Sequence, residues 1–274
     1  DGIYFDDMNW GYHSDTGQRR TGGCHCQYCR EMYLSQTGKE LSPKVQMDSI
    51  DFRQYINWRY ARFKDGVEHV AKGVYSKHPD AIIDWNYYGR PFGPDDIGWK
   101  SAHPLNPLDH STYFFMEAGL DNLGASFPAK LLRAADSTFG LWISATQISR
   151  EYLNPYSAPY PEPYTTAACG LSAVVRGGGA VVRCLGAGED TIYGDTLKSV
   201  FTELKKLSPF VGGESVKYLA LHVSQQNRDF GYIDSIDDFW RLMRGSHEML
   251  KRSQVLTEIV FDEQLTFENL SRYR

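Results

Sequence analysis

The chain has 274 residues, 42% of them hydrophobic, and 29 Lys and Arg against 34 Asp and Glu give a formal net charge of −5. That is enough apolar material for one large domain or two ordinary ones. The basic residues are dispersed rather than gathered into a stripe, which argues against a nucleic-acid partner or an anionic membrane surface, and no apolar run approaches the ~20 residues that a membrane span needs.

The opening tract DGIYFDD reads as a buried strand over residues 2–6 that delivers two adjacent carboxylates, Asp6 and Asp7, into a loop. Side chains alternate along a strand, so one aspartate faces the pocket while its neighbour turns toward the wall; the bland alternative is that Asp7 caps a turn. Trp10 follows three residues on and could offer a stacking face. Next come Cys24, Cys26 and Cys29 in C-x-C-x-x-C, flanked by glycine. Thiols this close are metal ligands, a redox pair or chance neighbours. Zinc fits best and requires four ligands, so one is missing; His13 is a candidate, and a cysteine outside this chain is favoured over it. The role expected is to staple a loop, not to catalyse. Cys169 and Cys184 read as core thiols.

After this cysteine-rich loop, an amphipathic helix is expected from Ser49 to Lys77, with Ile56, Tyr60, Phe63, Val67, Val70 and Val74 on one stripe and Pro79 marking its end. AIIDWNYY (81–88) and STYFFME (111–117) read as further strands, and a short helix over Pro128 to Ala135 leads to TFGLWISAT (138–146). The long loop 152–164, rich in Pro and Tyr, is a candidate wall of an active site. A small-residue helix around AACGLSAVV, a strand in GGGAVVRCL (177–185) and a helix from Tyr193 to Leu207 complete five strand-helix units. Short apolar strands alternating with helices imply a parallel sheet covered by helices. A (β/α)8 barrel is favoured over an open doubly wound sheet because polar residues recur just after the strands, and no dinucleotide or phosphate loop follows any of them. A boundary falls near Pro209 to Glu214, dividing residues 1–212 from 213–274. The second part carries a strand in VKYLALHVS, a helix in IDDFWRLMRGSHEMLKR and a strand in VLTEIVFDE, which resembles the start of a flavodoxin-like domain. Five barrel units alone would leave two long unpaired edges, so the chain reads as a fragment of a larger polypeptide.

Aromatic residues make up 14% of the chain. They are either ordinary core and surface rings or the walls of a cleft that stacks on sugars. Glu117 ends FFME two strands after the aspartates, and a carboxylate after an apolar run is paired, exposed at the strand end, or held protonated. With an aspartate of the first strand it would make the two-carboxylate arrangement of glycosidases. A salt bridge to Arg90 or Arg150 is the structural alternative, and Glu151 is a lower-ranked acid. Trp85, Asn86, His110 and Trp142 lie at strand ends as candidate sugar contacts.

CHCQYCREMY, the helix bearing FRQYINWRYARF and the strand ending DWN together resemble the zinc-carrying β-galactosidases of glycoside hydrolase family forty-two. The resemblance is closer to related glycosidases and α-L-fucosidases that place a DGI-aromatic-F-D strand before such a cysteine cluster. It spans nearly the whole chain. It implies that DGIYFDD is the fourth strand of the barrel, that strands four to eight are present, and that residues 213 onward open a flavodoxin-like domain used in trimer formation. The β-galactosidases carry an Asn-Glu acid/base after the fourth strand and a Glu nucleophile after the seventh; here those positions read Asp6-Asp7 and LWISATQ. FDDMNW is instead similar to the nucleophile strand of retaining α-L-fucosidases, with the nucleophile falling on Asp7 or Asp6 and Glu117 placed as the acid/base. The expectation is thus a retaining, α-L-fucosidase-like glycosidase acting on a carbohydrate substrate, with structural zinc and no catalytic cofactor. A β-galactosidase-like hydrolase and a sugar-binding or assembly protein without catalysis are the alternatives.

Overall fold

The structure is a computed structural model that describes residues 2–5, 26–41, 50–87, 113–117, 122–135, 139–144, 179–183, 191–211, 213–231 and 236–274. It is an α/β protein built on two parallel sheets. The first has five strands, β1 (Gly2–Phe5), β2 (Ile82–Tyr87), β3 (Tyr113–Glu117), β4 (Phe139–Ser144) and β5 (Gly179–Arg183), and they lie side by side in chain order. All four pairings are parallel. Parallel neighbours need a crossover between them, and the segments joining these strands supply α2 (Ile50–Tyr75) and α3 (Asn122–Ala134), with α4 (Thr191–Leu207) after β5.

The stripe expected on α2 is real but wider. Ile56, Tyr60, Phe63 and Val67 are buried, and so are Phe52, Tyr55, Arg59 and Ala71. Val70 and Val74 are only half-buried. The cysteine-rich segment, read from sequence as loop, contains a helix, α1 (Gln27–Thr37), which ends at Gly38 with φ 71°. The left-handed backbone there favours glycine, and the Gly38 N–H donates to the Leu34 carbonyl at 2.9 Å. Tyr33 fixes α1 against α2: it is buried with Leu41, Phe52, Tyr55, Ile56 and Tyr60, and its ring meets Trp58 edge-on at 5.2 Å. α3 begins six residues earlier than expected, so Pro128 lies inside it rather than at its start.

The second sheet is the pair β6 (Leu219–His222) and β7 (Thr257–Val260), joined by α5 (Ile236–Arg252) as a parallel β-α-β unit. Asp262 ties the carboxyl ends of its two strands together. It accepts from the Gln226 N–H at 3.0 Å and the Ser224 hydroxyl at 3.3 Å, and contacts His222 Nε2 at 2.8 Å. Burial pushes its pKa upward, but these donors outweigh burial and hold it below the usual aspartate value.

Two sets of contacts join this unit to the rest of the molecule. Phe127 and Leu131 of α3 are buried in one apolar cluster with Val223, Phe239, Ile259 and Phe261. Around that cluster Ser126 meets His247 at 3.0 Å, Lys130 pairs with Glu258, and Gln264 donates to the Ala134 carbonyl at 2.8 Å. The other set is buried and polar. Arg228 and Asp229 have no exposed surface and form an ion pair at 2.6 Å. The Tyr60 hydroxyl of α2 donates to Asp229 at 2.8 Å and accepts from Arg228 at 2.7 Å, while Gln225 donates to Asp229 at 2.9 Å. Burial is the main reason the Tyr60 phenol is raised well above its ordinary pKa, so it stays a neutral donor.

Removing one member of such a cluster strands the others. Asp229→Ala should cost about 3–5 kcal/mol, because Arg228 is left buried without its counter-ion. Tyr60→Phe, which removes only the bridging hydroxyl, should cost about 1–3 kcal/mol. Urea-unfolding midpoints of the two variants against the parent check the order; equal midpoints for all three would contradict it.

Candidate functional site

Strand alternation sorts the residues of the first sheet into two faces. Ile3, Phe5, Ile83 and Trp85 share one face, with Ile3 opposite Ile83 and Phe5 opposite Trp85. On this face Ile83 and Trp85 are buried, whereas Ile3 on the edge strand is 40% exposed and lines a recess together with Gly2 and Val74 of α2. The other face is the more open of the two at this edge: Tyr4 is 47% and Ile82 53% exposed, against 40% for Ile3 and 0% for Ile83.

Register extends the second face across all five strands. Tyr4, Asp84 and Tyr113 form one row; Asn86, Phe115, Gly140 and Gly179 form the next; Glu117, Trp142 and Val181 follow, and Ser144 with Arg183 close the series. Three of the residues singled out from sequence, Asn86, Glu117 and Trp142, therefore occupy positions on one face near the carboxyl ends of three adjacent strands. In parallel α/β sheets that end is where ligands bind.

Trp85 does not join them. It was expected to contact sugar, but its parity is that of Ile83, it is 1% exposed, and its ring stacks on Phe5 at 4.4 Å with an interplanar angle of 16°. Its job is packing. Asp6, Asp7, Trp10 and His110 lie outside the described residues, as do Arg90, Arg150, Glu151 and Cys24. Asp6 and Asp7 directly follow β1 in the sequence.

Asp84 is the residue that sequence reasoning passed over. It belongs to the open face, two positions before Asn86 on β2. Its Oδ1 is buried and has no hydrogen-bond partner among the described residues. Burial is the cause that raises its pKa, to about 6. The alternation Ile83-Asp84-Trp85 was the available signal: a carboxylate between two buried residues points to the opposite face of a strand.

Cys26 and Cys29 sit at the first turn of α1. Cys26 is the N-cap, and its Sγ accepts from the Cys29 N–H at 3.5 Å. This contact occupies one of the N–H groups that a helix N-terminus leaves without an intrahelical partner. The two cysteines fit half of a tetrahedral zinc set. Among the described residues no group of three His, Cys, Asp or Glu is placed to hold a metal, so the remaining ligands would have to come from Cys24 and a residue beyond those described.

No family model matches the sequence, and no curated protein does. Solved structures do match in fold. A GH5_18 protein from Streptomyces cattleya, in complex with GlcNAc, superposes with a TM-score of 0.54 and 11% identity, covering 78% of this chain and 58% of that one. A GH5_18 protein from Bifidobacterium longum subsp. infantis gives 0.49 and 11%, with the same shares. The likeness is one of fold. The chain spans 58% of the length of the Streptomyces cattleya protein.

The raised pKa of Asp84 has a consequence for stability. A carboxyl whose pKa is higher folded than unfolded binds more protons in the native state, so stability falls as pH rises through the window from the ordinary aspartate value of 3.8 to about 6. Asp84→Asn should therefore melt at a higher temperature than the parent above pH 6, with the difference closing below pH 4. Melting curves from pH 3.5 to 8 test this, and a parent that outlasts the variant at pH 7 would contradict it.

Proposed function

We propose that the chain carries the catalytic carboxylates of a retaining glycoside hydrolase, with one of the two aspartates after β1 as nucleophile and Glu117 as acid/base. The observation that supports this most is the position of Glu117: it ends β3 on the open face, in one row with Trp142 and one row above Asn86, two strands from the end of β1. In this reading the five strands are the fourth to eighth of a barrel, to which the fold likeness lends support. Residues 213–274 are the opening of a flavodoxin-like domain that mediates trimer formation.

The chemistry follows from the residue types. The aspartate attacks the anomeric carbon while Glu117 protonates the departing glycosidic oxygen; Glu117 then takes a proton from water, which releases the sugar from the aspartate. The sequence resemblance favours terminal α-L-fucosides. The GlcNAc bound in the Streptomyces cattleya structure favours a second substrate class, N-acetylglucosaminides, and β-galactosides are the third to be assayed.

Aryl α-L-fucosides, β-galactosides and N-acetylglucosaminides incubated with the full-length protein decide among these. Glu117→Gln should lower kcat on a poor leaving group by roughly 10²–10⁴-fold and much less on an activated aryl leaving group. Asp6→Ala or Asp7→Ala should abolish turnover, and azide should restore it only in the variant lacking the nucleophile. Undiminished turnover in Glu117→Gln, or in both aspartate variants, would remove the proposal.

Structural zinc at Cys24, Cys26 and Cys29 is part of the same reading. When bound it would hold the turn that precedes α1, which is itself anchored on α2 through Tyr33, and would take no part in glycoside chemistry. Elemental analysis of the purified full-length protein should find about one zinc per chain, the stoichiometry of a single four-ligand site. Cys26→Ser and Cys29→Ser should each lose it while retaining measurable hydrolysis. Zinc content unchanged in both variants would exclude the cysteines as ligands.

A further inference from the structure

We propose that Asp84 forms the floor of the saccharide cleft and accepts a hydrogen bond from a hydroxyl or amide group of the bound sugar; the assignment rests on the glycosidase reading of the same face. A carboxylate in the body of a strand is uncommon, because burial of an ionisable group is costly unless something compensates it. None of the described residues compensates it. Asp84 Oδ1 is buried and meets no donor among the described residues, and burial is the cause of its altered proton affinity.

Its surroundings fit a ligand better than a protein partner. Tyr4 on β1 and Tyr113 on β3 occupy the positions directly opposite Asp84. They are the titratable residues flanking it in its row, with Ile82 and Asn86 on its own strand and Glu117 two rows above by way of Phe115. Tyr4 and Ile82 are about half exposed. Asp84 stands three residues below the carboxyl end of β2, roughly 10 Å by strand rise. Glu117 lies two rows nearer the carboxyl ends of the strands. Asp84 is therefore assigned a binding role, with an oxygen that meets no donor among the described residues. Sugar hydroxyls supply such donors.

The test uses the full-length protein and three probes, L-fucose, D-galactose and N-acetylglucosamine, titrated calorimetrically into the parent, Asp84→Asn and Asp84→Ala between pH 4.5 and 8. Asp84→Asn keeps the shape of the side chain and guards against a folding defect, which circular dichroism checks. For the sugar the parent binds, both variants should lose roughly 10- to 100-fold in affinity, the scale of one hydrogen bond to a charged group. The parent's affinity should also rise as pH passes upward through 6, while that of Asp84→Asn stays flat. If Asp84→Asn binds as the parent does, or keeps the parent's pH dependence, the assignment of Asp84 is wrong while the carbohydrate reading stands. If the parent binds none of the three and hydrolyses none of their aryl glycosides, the reading of the face as a saccharide cleft fails, and the assignment with it.

Discussion

The parallel register of five neighbouring strands is the constraint on which every functional statement depends. Because side chains alternate and Cα partners in a parallel pair point the same way, fixing the side of one residue fixes the side of every other. Ile83 and Trp85 settle it: both are buried, on the face they share with Ile3 and Phe5. Asp84, Asn86, Glu117 and Trp142 then fall together on the opposite face without any further assumption. A slip of one residue between β2 and β3 would send Glu117 to the face of Ile83 and Trp85 and dismantle the site.

The remainder of the molecule holds that register in place from outside the sheet. α2 is clamped at one end by α1 through Tyr33, and near its middle by the Arg228–Asp229 pair acting on the Tyr60 hydroxyl. α3, which leads from β3 to β4, is locked to the second sheet through Phe127 and Leu131. Both crossover helices described between strands of the first sheet are thus gripped by the β6-α5-β7 unit. That unit contributes to the site by immobilising the helices that back it, whatever further partners it has.

Much of this was legible in the sequence. Five strands, the long α2 and the β-α-β unit emerge from periodicity, with α5 bounded as expected at Ile236 and Arg252. Other features were hidden for identifiable reasons. α1 was obscured by the density of Cys and Gly around it, which reads as loop. α3 was cut short because Pro128 looks like a first-turn proline, whereas it sits mid-helix, where its ring removes the hydrogen bond to the carbonyl of Gly124. Trp85 reads as a mouth residue because AIIDWNYY ends in polar residues, whereas alternation along the strand puts it on the face of the buried Ile83. The Tyr60–Asp229 contact joins residues 169 apart in sequence, and no local pattern announces such a pairing.

Two carboxylates, Asp229 and Asp84, show how structure and function divide. Asp229 accepts from Arg228, Tyr60 and Gln225, so its charge is compensated where it lies and nothing more is required of it. Asp84 has a buried oxygen with no such donor among the described residues, and its proton affinity is shifted toward neutrality by burial. A carboxylate that was only structural would be expected to resemble Asp229, since an unpaired buried acceptor lowers stability with no return. Leaving one uncompensated on the face that also carries Asn86 and Glu117 makes physical sense if the compensating donor arrives with a ligand, and is lost again when that ligand leaves.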